Sequence, residues 1–339
     1  MYRPGTAVAW KGRIDSREDY DAFRWHQWIR PVDLDAAGPA AFGGARAEGG
    51  AGPRAAVAFL GFACDEGVRR NMGRPGARGG PTAIRAELSN LPCSFDPGLA
   101  LYDAGEVECE GGALEEAQAL LGAKVRLVRE RGWFPVVLGG GHETAYGHWL
   151  GQRGPGGGPA ILNLDAHLDL RPYPAGGSSG SMFRQVADEL AAEGGEFRYL
   201  CLGAQLRSNT RALFRDAGRL GARWILGRDL AEAGAASAFP AIDALSASAE
   251  TLMVTICADV FSSAWAPGVS APQPLGLEPE IVIRLVKRAF AGGRVSGLDL
   301  CEVSPGRAGP DPTASLAATL IFAAVNALAE AAGLADGIA

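Results

Sequence analysis

Three side chains that bind divalent metals occupy alternate positions in the segment 165–169, Asp-Ala-His-Leu-Asp. The segment follows an apolar run at 160–164, which is typical of a buried strand. Alternate side chains of an extended chain point to the same side, so we expect Asp165, His167 and Asp169 to converge at the end of that strand. Because two carboxylates and one imidazole suit a borderline-hard ion such as Mn²⁺, the spacing predicts a metal site.

Further candidate ligands follow other apolar runs, so that several predicted strands end in residues capable of chemistry. These residues are His142 after the run 134–138 and three glycines, Cys257 and Asp259 after 251–256, and Glu302 after 295–300. In a parallel sheet the carboxyl ends of the strands lie at one edge, where ligands bind. We therefore expect these side chains to share one site.

Strands and helices alternate along most of the chain, and this pattern predicts an α/β fold with a parallel sheet covered on both faces. The predicted strands are Ala55–Gly61, Phe134–Gly139, Ala160–Leu164, Phe197–Leu202, Arg223–Ile225, Thr251–Cys257 and Val295–Val303. The predicted helices are Pro81–Leu88, Leu114–Arg131, Thr144–Gly151, Ser181–Ala192, Thr210–Ala217, Glu278–Ala291 and Ser315–Ala332.

Composition limits the class of protein. The chain has 339 residues, of which 47% are hydrophobic, and a net charge of -6 without a basic patch, which argues against a nucleic-acid partner. No apolar run of membrane-spanning length and no signal-peptide core stand out. The six cysteines form no C-x-x-C pair, which favours reduced thiols in the cytoplasm. We expect an N-terminal arm and flexible loop over 1–54, Gly-rich at 36–54, and one catalytic domain over 55–339.

The order of these motifs resembles the ureohydrolase family of arginases, agmatinases and formimidoylglutamases. The motifs are Gly-Gly-Gly-His-Glu at 139–143, Asp-Ala-His-Leu-Asp at 165–169, Asp259 and Glu-Val-Ser-Pro at 302–305. The finer detail is similar to the formimidoylglutamases in the segments 24–27, 60–77, 139–147, 163–171, 178–180 and 266–272. The resemblance covers nearly the whole chain. It implies a three-layer α/β/α fold with a mainly parallel central sheet and a centre of two Mn²⁺ ions.

The resemblance also implies roles for individual residues. His142 and Asp169 are the implied ligands of one ion, and His167 and Asp259 are those of the other. Asp165 is implied to contact both ions. Glu302 stands where the family has an acidic residue beside the amidine or guanidine group of the substrate. Asp169 is a candidate to pass a proton to the leaving nitrogen. His148, on the helix predicted after His142, is interpreted as structural.

One position departs from the family pattern. The family strand ends in Asp-x-Asp, with the first Asp touching both metals, whereas here Cys257 precedes Asp259 by two residues. A thiolate offers a single soft sulfur and is a poor partner for Mn²⁺. Two interpretations stay open: a weakened or lost metal site, which we favour because the other ligands remain hard, or a sulfur ligand that selects Zn²⁺ or Fe²⁺.

The activity implied by the resemblance is hydrolysis of N-formimidoyl-L-glutamate to L-glutamate and formamide, in histidine degradation, by a metal-bound hydroxide. A small-molecule substrate with two carboxylates calls for guanidinium groups and other hydrogen-bond donors. The candidates for this role are Arg69, Arg70, Asn71, Arg74, Arg171, Ser178 and Ser179.

Two alternatives remain at this point. The first is a metal-poor relative with weak or no activity, which binds glutamate-like ligands, and Cys257 is the feature that favours it. The second is a ureohydrolase that acts on another guanidine or amidine. An amine-bearing substrate would need an acidic contact, for which Asp65 and Glu66 are the candidates, but they lie in an Arg-rich loop. The sequence also leaves open whether the chain forms homo-oligomers.

Overall fold

In the computed structural model, the described residues form one ten-stranded sheet that is parallel except where the first strand pairs. The structure describes residues 1–36, 53–154, 157–306 and 311–335. The strands are β1 (Tyr2–Arg3), β2 (Arg30–Pro31), β3 (Ala55–Ala63), β4 (Leu99–Glu108), β5 (Phe134–Leu138), β6 (Ala160–Leu164), β7 (Tyr199–Ala204), β8 (Arg223–Leu226), β9 (Leu252–Cys257) and β10 (Val295–Cys301). Their order across the sheet is β1-β4-β3-β5-β10-β9-β6-β7-β8, and β2 pairs with β4.

Helices cover both faces of the sheet. They are α1 (Trp25–Trp28), α2 (Glu66–Arg70), α3 (Gly80–Leu88), α4 (Leu114–Glu130), α5 (Thr144–Gln152), α6 (Met182–Ala192), α7 (Arg211–Arg219), α8 (Gly227–Ala233), α9 (Phe239–Ala247), α10 (Pro279–Ala291) and α11 (Pro312–Ala331). One apolar layer joins the sheet to α3, α9, α10 and α11, and two further clusters join the opposite face to α4 and to α5, α6 and α7. Because burial of these faces removes apolar surface from water, the three-layer arrangement is the main source of stability. The predicted α/β/α architecture is confirmed.

The seven strands predicted from apolar runs are all present, with ends shifted by at most two residues. The strand β4 was missed because Asp103 and Glu106 interrupt its apolar pattern. The structure explains how a strand tolerates these acids: Arg85 of α3 lies 3.3 Å from Asp103 and 3.2 Å from Glu106. A buried carboxylate is tolerated when a charged partner and hydrogen bonds satisfy it.

The N-terminal arm belongs to the same sheet through β1 and β2, and its Trp25 is completely buried. Most of the flexible loop predicted over 36–54 lies outside the described residues. The division of the chain at residue 55 therefore stays a prediction.

Helix α11 is long and apolar enough to cross a membrane by length and composition alone. The sequence has no uninterrupted apolar run of this length, and the helix meets the criterion because Thr313, Ser315, Thr319 and Asn326 interrupt its apolar residues without adding charge. Half of its most apolar stretch is buried, and the helix packs against α3 and α10. Core helices of soluble proteins meet the same criterion, so one such helix is weak evidence for a membrane span.

Candidate metal centre and its cavity

The candidate ligands lie together because the strands that precede them are neighbours. In the sheet, β5, β10, β9 and β6 are adjacent and parallel. Their carboxyl ends lead to His142, Glu302, Cys257 and Asp165, in that order. The topology therefore gathers at one edge four groups that are widely separated in the sequence.

The glycine loop after β5 lets the backbone that holds His142 pass close to β3. A Cβ at Gly140 would lie 1.8 Å from the carbonyl oxygen of Cys64, so no larger residue fits there without displacement of backbone. Gly141 donates its N–H to that same carbonyl, at 2.8 Å. The loop is thereby fixed, and it presents an imidazole that is only 1% exposed.

The side chains of Asp165, His167 and Asp169 converge as predicted, but a bend rather than an extended chain brings them together. The strand β6 ends at Leu164, and the N–H of His167 then donates to Asp165 Oδ1 at 2.8 Å. Asp169 has a φ of +48°, which is rare outside glycine. The three side chains therefore converge, but not through the alternation of an extended strand on which the prediction relied.

The first ligand cluster consists of His142, Asp165, Asp169 and Cys257. The Nδ1 of His142 lies 3.0 Å from an oxygen of Asp165 and 3.0 Å from an oxygen of Asp169. The Sγ of Cys257 lies within 4.8 Å of the ligand atoms of His142 and Asp165. Without a metal ion, burial, reinforced by the charges of Asp165 and Asp259, raises the pKa of the Cys257 thiol well above the usual value, whereas a bound cation would favour the thiolate.

The second ligand cluster consists of Asp165, His167 and Asp259, so Asp165 belongs to both. The Nδ1 of His167 lies 3.0 Å from Asp259 Oδ2 and 3.5 Å from Asp165 Oδ1. Asp165 thus turns one carboxylate oxygen toward each histidine. A carboxylate in this position has the geometry to contact two ions.

Charge is crowded in this buried space, and the pKa values respond to it. Burial alone would lower the pKa of His142, but its contacts with Asp165 and Asp169 outweigh burial and raise that pKa well above the usual value. The pKa of His167 rises in the same way, chiefly beside the charge of Asp259. Burial, together with the charge of Asp165, raises the pKa of Asp169 to about 7. The carboxylates of the cluster thus favour positive charge in this buried space.

The residues of both clusters fit divalent cations. Asp259 Oδ1 is buried and has no hydrogen-bond partner among the described residues. An unpaired buried carboxylate oxygen is costly, and a cation would remove that cost. Apart from the sulfur of Cys257, all the donor atoms are oxygen or imidazole nitrogen, which are the ligands of hard and borderline divalent ions.

Glu302 closes the base of the site beside the first cluster. It is 3% exposed and has a φ of +68°. One carboxylate oxygen accepts the N–H of His142 at 3.0 Å, and the other accepts the hydroxyl of Ser270 at 2.6 Å. Burial raises the pKa of Glu302, and the hydrogen bond from Ser270 offsets this in part. The carboxylate is thus fixed in place and faces a cavity.

The cavity above the clusters has a volume of about 260 Å³, which is room for a small molecule. Its wall contains most of the predicted site residues and four more, namely Asn71, Met72, Gly73, His142, His167, Asp169, Arg171, Ser179, Cys257, Asp259, Ser270, Ala271 and Glu302. In the described part of the chain, the non-glycine residues with positive φ are Met72, Asp169 and Glu302, and all of them line this cavity. Strained backbone is commonly kept at functional sites.

The predicted arginines are not equivalent. Arg171 lines the cavity, and its guanidinium donates a long hydrogen bond of 3.4 Å to Asn71 Oδ1. Arg69 pairs with Glu66 and its side chain is 65% exposed, while Arg70 pairs with both Glu66 and Glu115. The structure does not bring these last two arginines into the cavity wall.

Two other candidates also lie outside the wall. Arg74 donates to the carbonyl oxygen of Val269 at 2.5 Å. Ser178 contacts Ser181 and the N–H of Gly180, within its own turn. Asp165 lies beneath the cavity, fully buried, in contact with both histidines. The functional roles of all these residues stay predictions.

Sequence reasoning missed two polar residues that support the site. Ser270 lies in the segment 266–272, and nothing in the sequence pairs it with Glu302, 32 residues away. Thr255 reads as an ordinary strand residue, yet its hydroxyl lies 3.0 Å from Nε2 of His142. For Thr255, the available signal was the presence of a polar residue inside an apolar strand.

Comparison with known proteins places this geometry in a family. The model of the Arginase family matches residues 55–326, which is most of the chain. Formimidoylglutamase of Clostridium tetani is 44% identical over 342 aligned positions, with 98% of each chain covered. Formimidoylglutamase of Geobacillus thermodenitrificans is 45% identical and covers 90% of this chain and 91% of its own.

Among solved structures, the crystal structure of Trypanosoma cruzi formiminoglutamase with Mn²⁺ matches with a TM-score of 0.73 and 28% identity. The match covers 81% of this chain and 94% of that chain. The family model, the identity of these relatives along most of the chain and the shared fold lead to one conclusion: the chain belongs to the arginase family.

Proposed function

We propose that the protein is a metal-dependent hydrolase that converts N-formimidoyl-L-glutamate and water into L-glutamate and formamide. The observation that supports this most strongly is the cavity itself. It has two metal-ligand clusters at its base and an arginine without an ion pair among the described residues in its wall. Relatives with 44% and 45% identity are formimidoylglutamases. The same activity would place the enzyme in histidine degradation.

The proposed cofactor is a pair of Mn²⁺ ions. His142, Asp165 and Asp169, with Cys257 beside them, would hold one ion, and Asp165, His167 and Asp259 would hold the other. The formiminoglutamase structure with Mn²⁺ supports this choice of metal. Two bound divalent ions supply a water that is nucleophilic at neutral pH and polarise the group that it attacks.

The protein's own residues orient the substrate against that centre. The formimidoyl group is a cationic amidine, and Glu302 is a buried carboxylate held by Ser270 and the His142 N–H. A charge-assisted hydrogen bond from the amidine to Glu302 would place the formimidoyl carbon over the clusters. Because two hydrogen bonds already hold Glu302 in place, this side chain loses little conformational freedom when the substrate binds.

The remaining chemistry is the transfer of a proton. Water adds to the formimidoyl carbon, and the bond from that carbon to the glutamate nitrogen then breaks. The leaving nitrogen must gain a proton, and the carboxyl group of Asp169 lines the cavity as part of the first cluster. We propose Asp169 as the group that passes this proton to the glutamate nitrogen.

The glutamate end of the substrate would bind Arg171. This guanidinium lies in the wall beside Asn71 and Ser179, which offer further hydrogen bonds. The acids that line the cavity in the described residues, Asp169, Asp259 and Glu302, all lie at its base. Glu66 is neutralised by two arginines, and Asp65 accepts the Gly76 N–H at 2.8 Å. The distal end of the cavity therefore suits carboxylates better than the free amine of agmatine.

An Arg171→Ala substitution with a matched control tests the substrate. We expect KM for N-formimidoyl-L-glutamate to rise about 10- to 100-fold, since a hydrogen bond to a charged group contributes roughly 1.5–3 kcal/mol. Arg69→Ala removes an arginine that is paired outside the cavity and is expected to leave KM unchanged. Agmatine and arginine serve as competing substrates. A preference of the wild type for either one, or equal KM values for both variants, contradicts the proposal.

A Glu302→Gln substitution tests the amidine contact. We expect a lower kcat/KM with the metal content unchanged, because Glu302 faces the cavity and its recorded contacts are with Ser270 and the His142 backbone. Unchanged kinetics in this variant would show that Glu302 has no such role.

A further inference from the structure

A row of buried polar residues leads away from the first ligand cluster into the sheet. Nε2 of His142 lies 3.0 Å from Thr255 Oγ1, whose hydroxyl lies 2.6 Å from Asp299 Oδ1. The other oxygen of Asp299 lies 2.6 Å from Nδ1 of His148. His142, Thr255, Asp299 and His148 are at most 1% exposed. Such groups are rarely buried without a reason, since each must have its hydrogen bonds satisfied.

The row continues from His148 to a hydroxyl group at the start of β10. Nε2 of His148 lies 2.7 Å from the amide nitrogen of Gln152, and the amide oxygen of Gln152 accepts the hydroxyl of Ser296 at 2.5 Å. A β-bulge at the start of β10 supplies Ser296 as an extra residue, because the pairing with β9 shifts between Val295 and Gly297. Bulges of this kind redirect a side chain.

The backbone leaves room for this row. A Cβ at Gly297 would lie 2.6 Å from Nε2 of His148 and 2.7 Å from Nε2 of Gln152. A glycine at this position keeps the two side chains in contact, and a larger residue would displace one of them.

The direction of each hydrogen bond follows from Asp299. The Thr255 hydroxyl donates its one proton to Asp299 Oδ1. That hydroxyl can then only accept from His142, which requires the proton on Nε2. When a metal ion displaces the other ring proton, the lone pair of His142 lies on Nδ1, which is the atom that faces Asp165 and Asp169 at 3.0 Å. On the other side, Nδ1 of His148 donates to Asp299, and the Gln152 amide donates to Nε2 of His148.

We propose that Thr255, Asp299, His148 and Gln152 form a positioning row that fixes the ring orientation and the tautomer of His142, so that Nδ1 is available to a metal ion. The proposal deepens the proposed function, because it rests on the metal centre. It assigns to His148 a role beyond core packing. Partners that orient a metal-binding histidine commonly change metal affinity about 10- to 100-fold when they are removed.

The test compares Thr255→Val with Thr255→Ser. Valine keeps the shape of threonine but removes the hydroxyl, whereas serine keeps the hydroxyl. The measurement is the Mn²⁺ dissociation constant of each metal-stripped protein by isothermal titration calorimetry, with the melting temperature recorded alongside. We expect Thr255→Val to weaken one of the two Mn²⁺ sites about 10- to 100-fold and Thr255→Ser to bind as the wild type does.

A second variant acts at a distance and keeps the proposal testable if Thr255→Val does not fold. Gln152→Leu removes the amide that holds His148, on helix α5, without touching any cluster residue. We expect it to weaken the same Mn²⁺ site several-fold and to reduce kcat while KM stays unchanged. Wild-type Mn²⁺ affinity in every folded variant overturns the proposal.

The outcome separates this inference from the proposed function. Mn²⁺ affinity is measured without substrate, so a protein that hydrolyses a different amidine still gives the expected loss. Conversely, a wild-type enzyme that hydrolyses N-formimidoyl-L-glutamate, with variants of unchanged Mn²⁺ affinity, would refute only the positioning row.

Discussion

The two ligand clusters share Asp165 but differ in what completes them. In the second cluster, His167 and Asp259 provide an imidazole and a carboxylate whose Oδ1 has no other partner among the described residues. In the first cluster, the thiol of Cys257 lies beside His142 and Asp165, and the hydroxyl of Thr255 contacts the other nitrogen of the His142 ring. The first cluster thus combines one soft group with a well-supported imidazole. The comparison suggests that ligand charge and ligand orientation contribute separately to the two sites.

Removing the shared carboxylate is expected to have the largest effect. Asp165→Asn takes a charge from both clusters, so Mn²⁺ binding should fall from two ions per chain toward none. Loss of an orienting partner alone costs about 10- to 100-fold, so loss of this shared ligand should lower kcat by more than about 100-fold. Metal analysis after dialysis and glutamate release are the measurements. Retention of two ions would show that Asp165 is not shared.

Removing a ligand of the second cluster should have a smaller and more selective effect. Asp259→Asn leaves the first cluster intact, so we expect one Mn²⁺ per chain and a rate lower by about 10- to 100-fold. His26→Gln, on the N-terminal arm, is the control because its ring contacts the Arg13 carbonyl far along the chain from the site. Loss of both ions from Asp259→Asn would mean that the clusters bind metal only together.

Restoring a carboxylate to the first cluster tests whether its thiol is a defect. We expect Cys257→Asp to bind Mn²⁺ more tightly and to turn over faster, by up to about tenfold, since a hard carboxylate with two oxygens replaces a single soft sulfur. Cys257→Ser keeps a small neutral group and should resemble the wild type. An unchanged or lower rate in Cys257→Asp, or a strong preference of the wild type for Zn²⁺ or Fe²⁺, would show that the sulfur has a role.

The pH dependence of stability should distinguish the metal-free from the metal-bound protein. Metal-free, the raised pKa values of His142 and His167 stabilise the fold below the ordinary histidine pKa of about 6.5, and this is lost as pH rises. The raised pKa of Asp169, about 7, acts in the same direction, since ionising this buried group costs free energy.

Metal binding must displace those protons, so Mn²⁺ affinity should increase with pH. We therefore expect the gap in melting temperature between Mn²⁺-bound and metal-free protein to widen by a few degrees from pH 6 to pH 9. A gap that narrows over this range would contradict the assignment of these histidines as ligands.

Much of this arrangement could be predicted because apolar runs end in polar residues at the same edge of a parallel sheet. The positions of His142, Asp165 and Glu302 follow from that rule. The strand β4 could not be predicted, because Asp103 is compatible with a buried strand only once Arg85 has folded against it.

Long-range pairing also limits what the sequence reveals about binding residues. Arg70 and Arg171 look alike in the sequence, but Arg70 pairs with Glu66 and with Glu115, 45 residues away, whereas Arg171 lines the cavity. Thr255 and Asp299 lie inside apolar strands 44 residues apart, and their hydrogen bond depends on the neighbouring positions of β9 and β10.

The measurement that tests the central proposal most directly is glutamate release from N-formimidoyl-L-glutamate by the purified chain. The protein is stripped with EDTA, and half of it is then reconstituted with Mn²⁺. We expect the stripped protein to be inactive and the reconstituted protein to release equal amounts of glutamate and formamide. Folded protein that binds Mn²⁺ but releases no glutamate would contradict the proposed function.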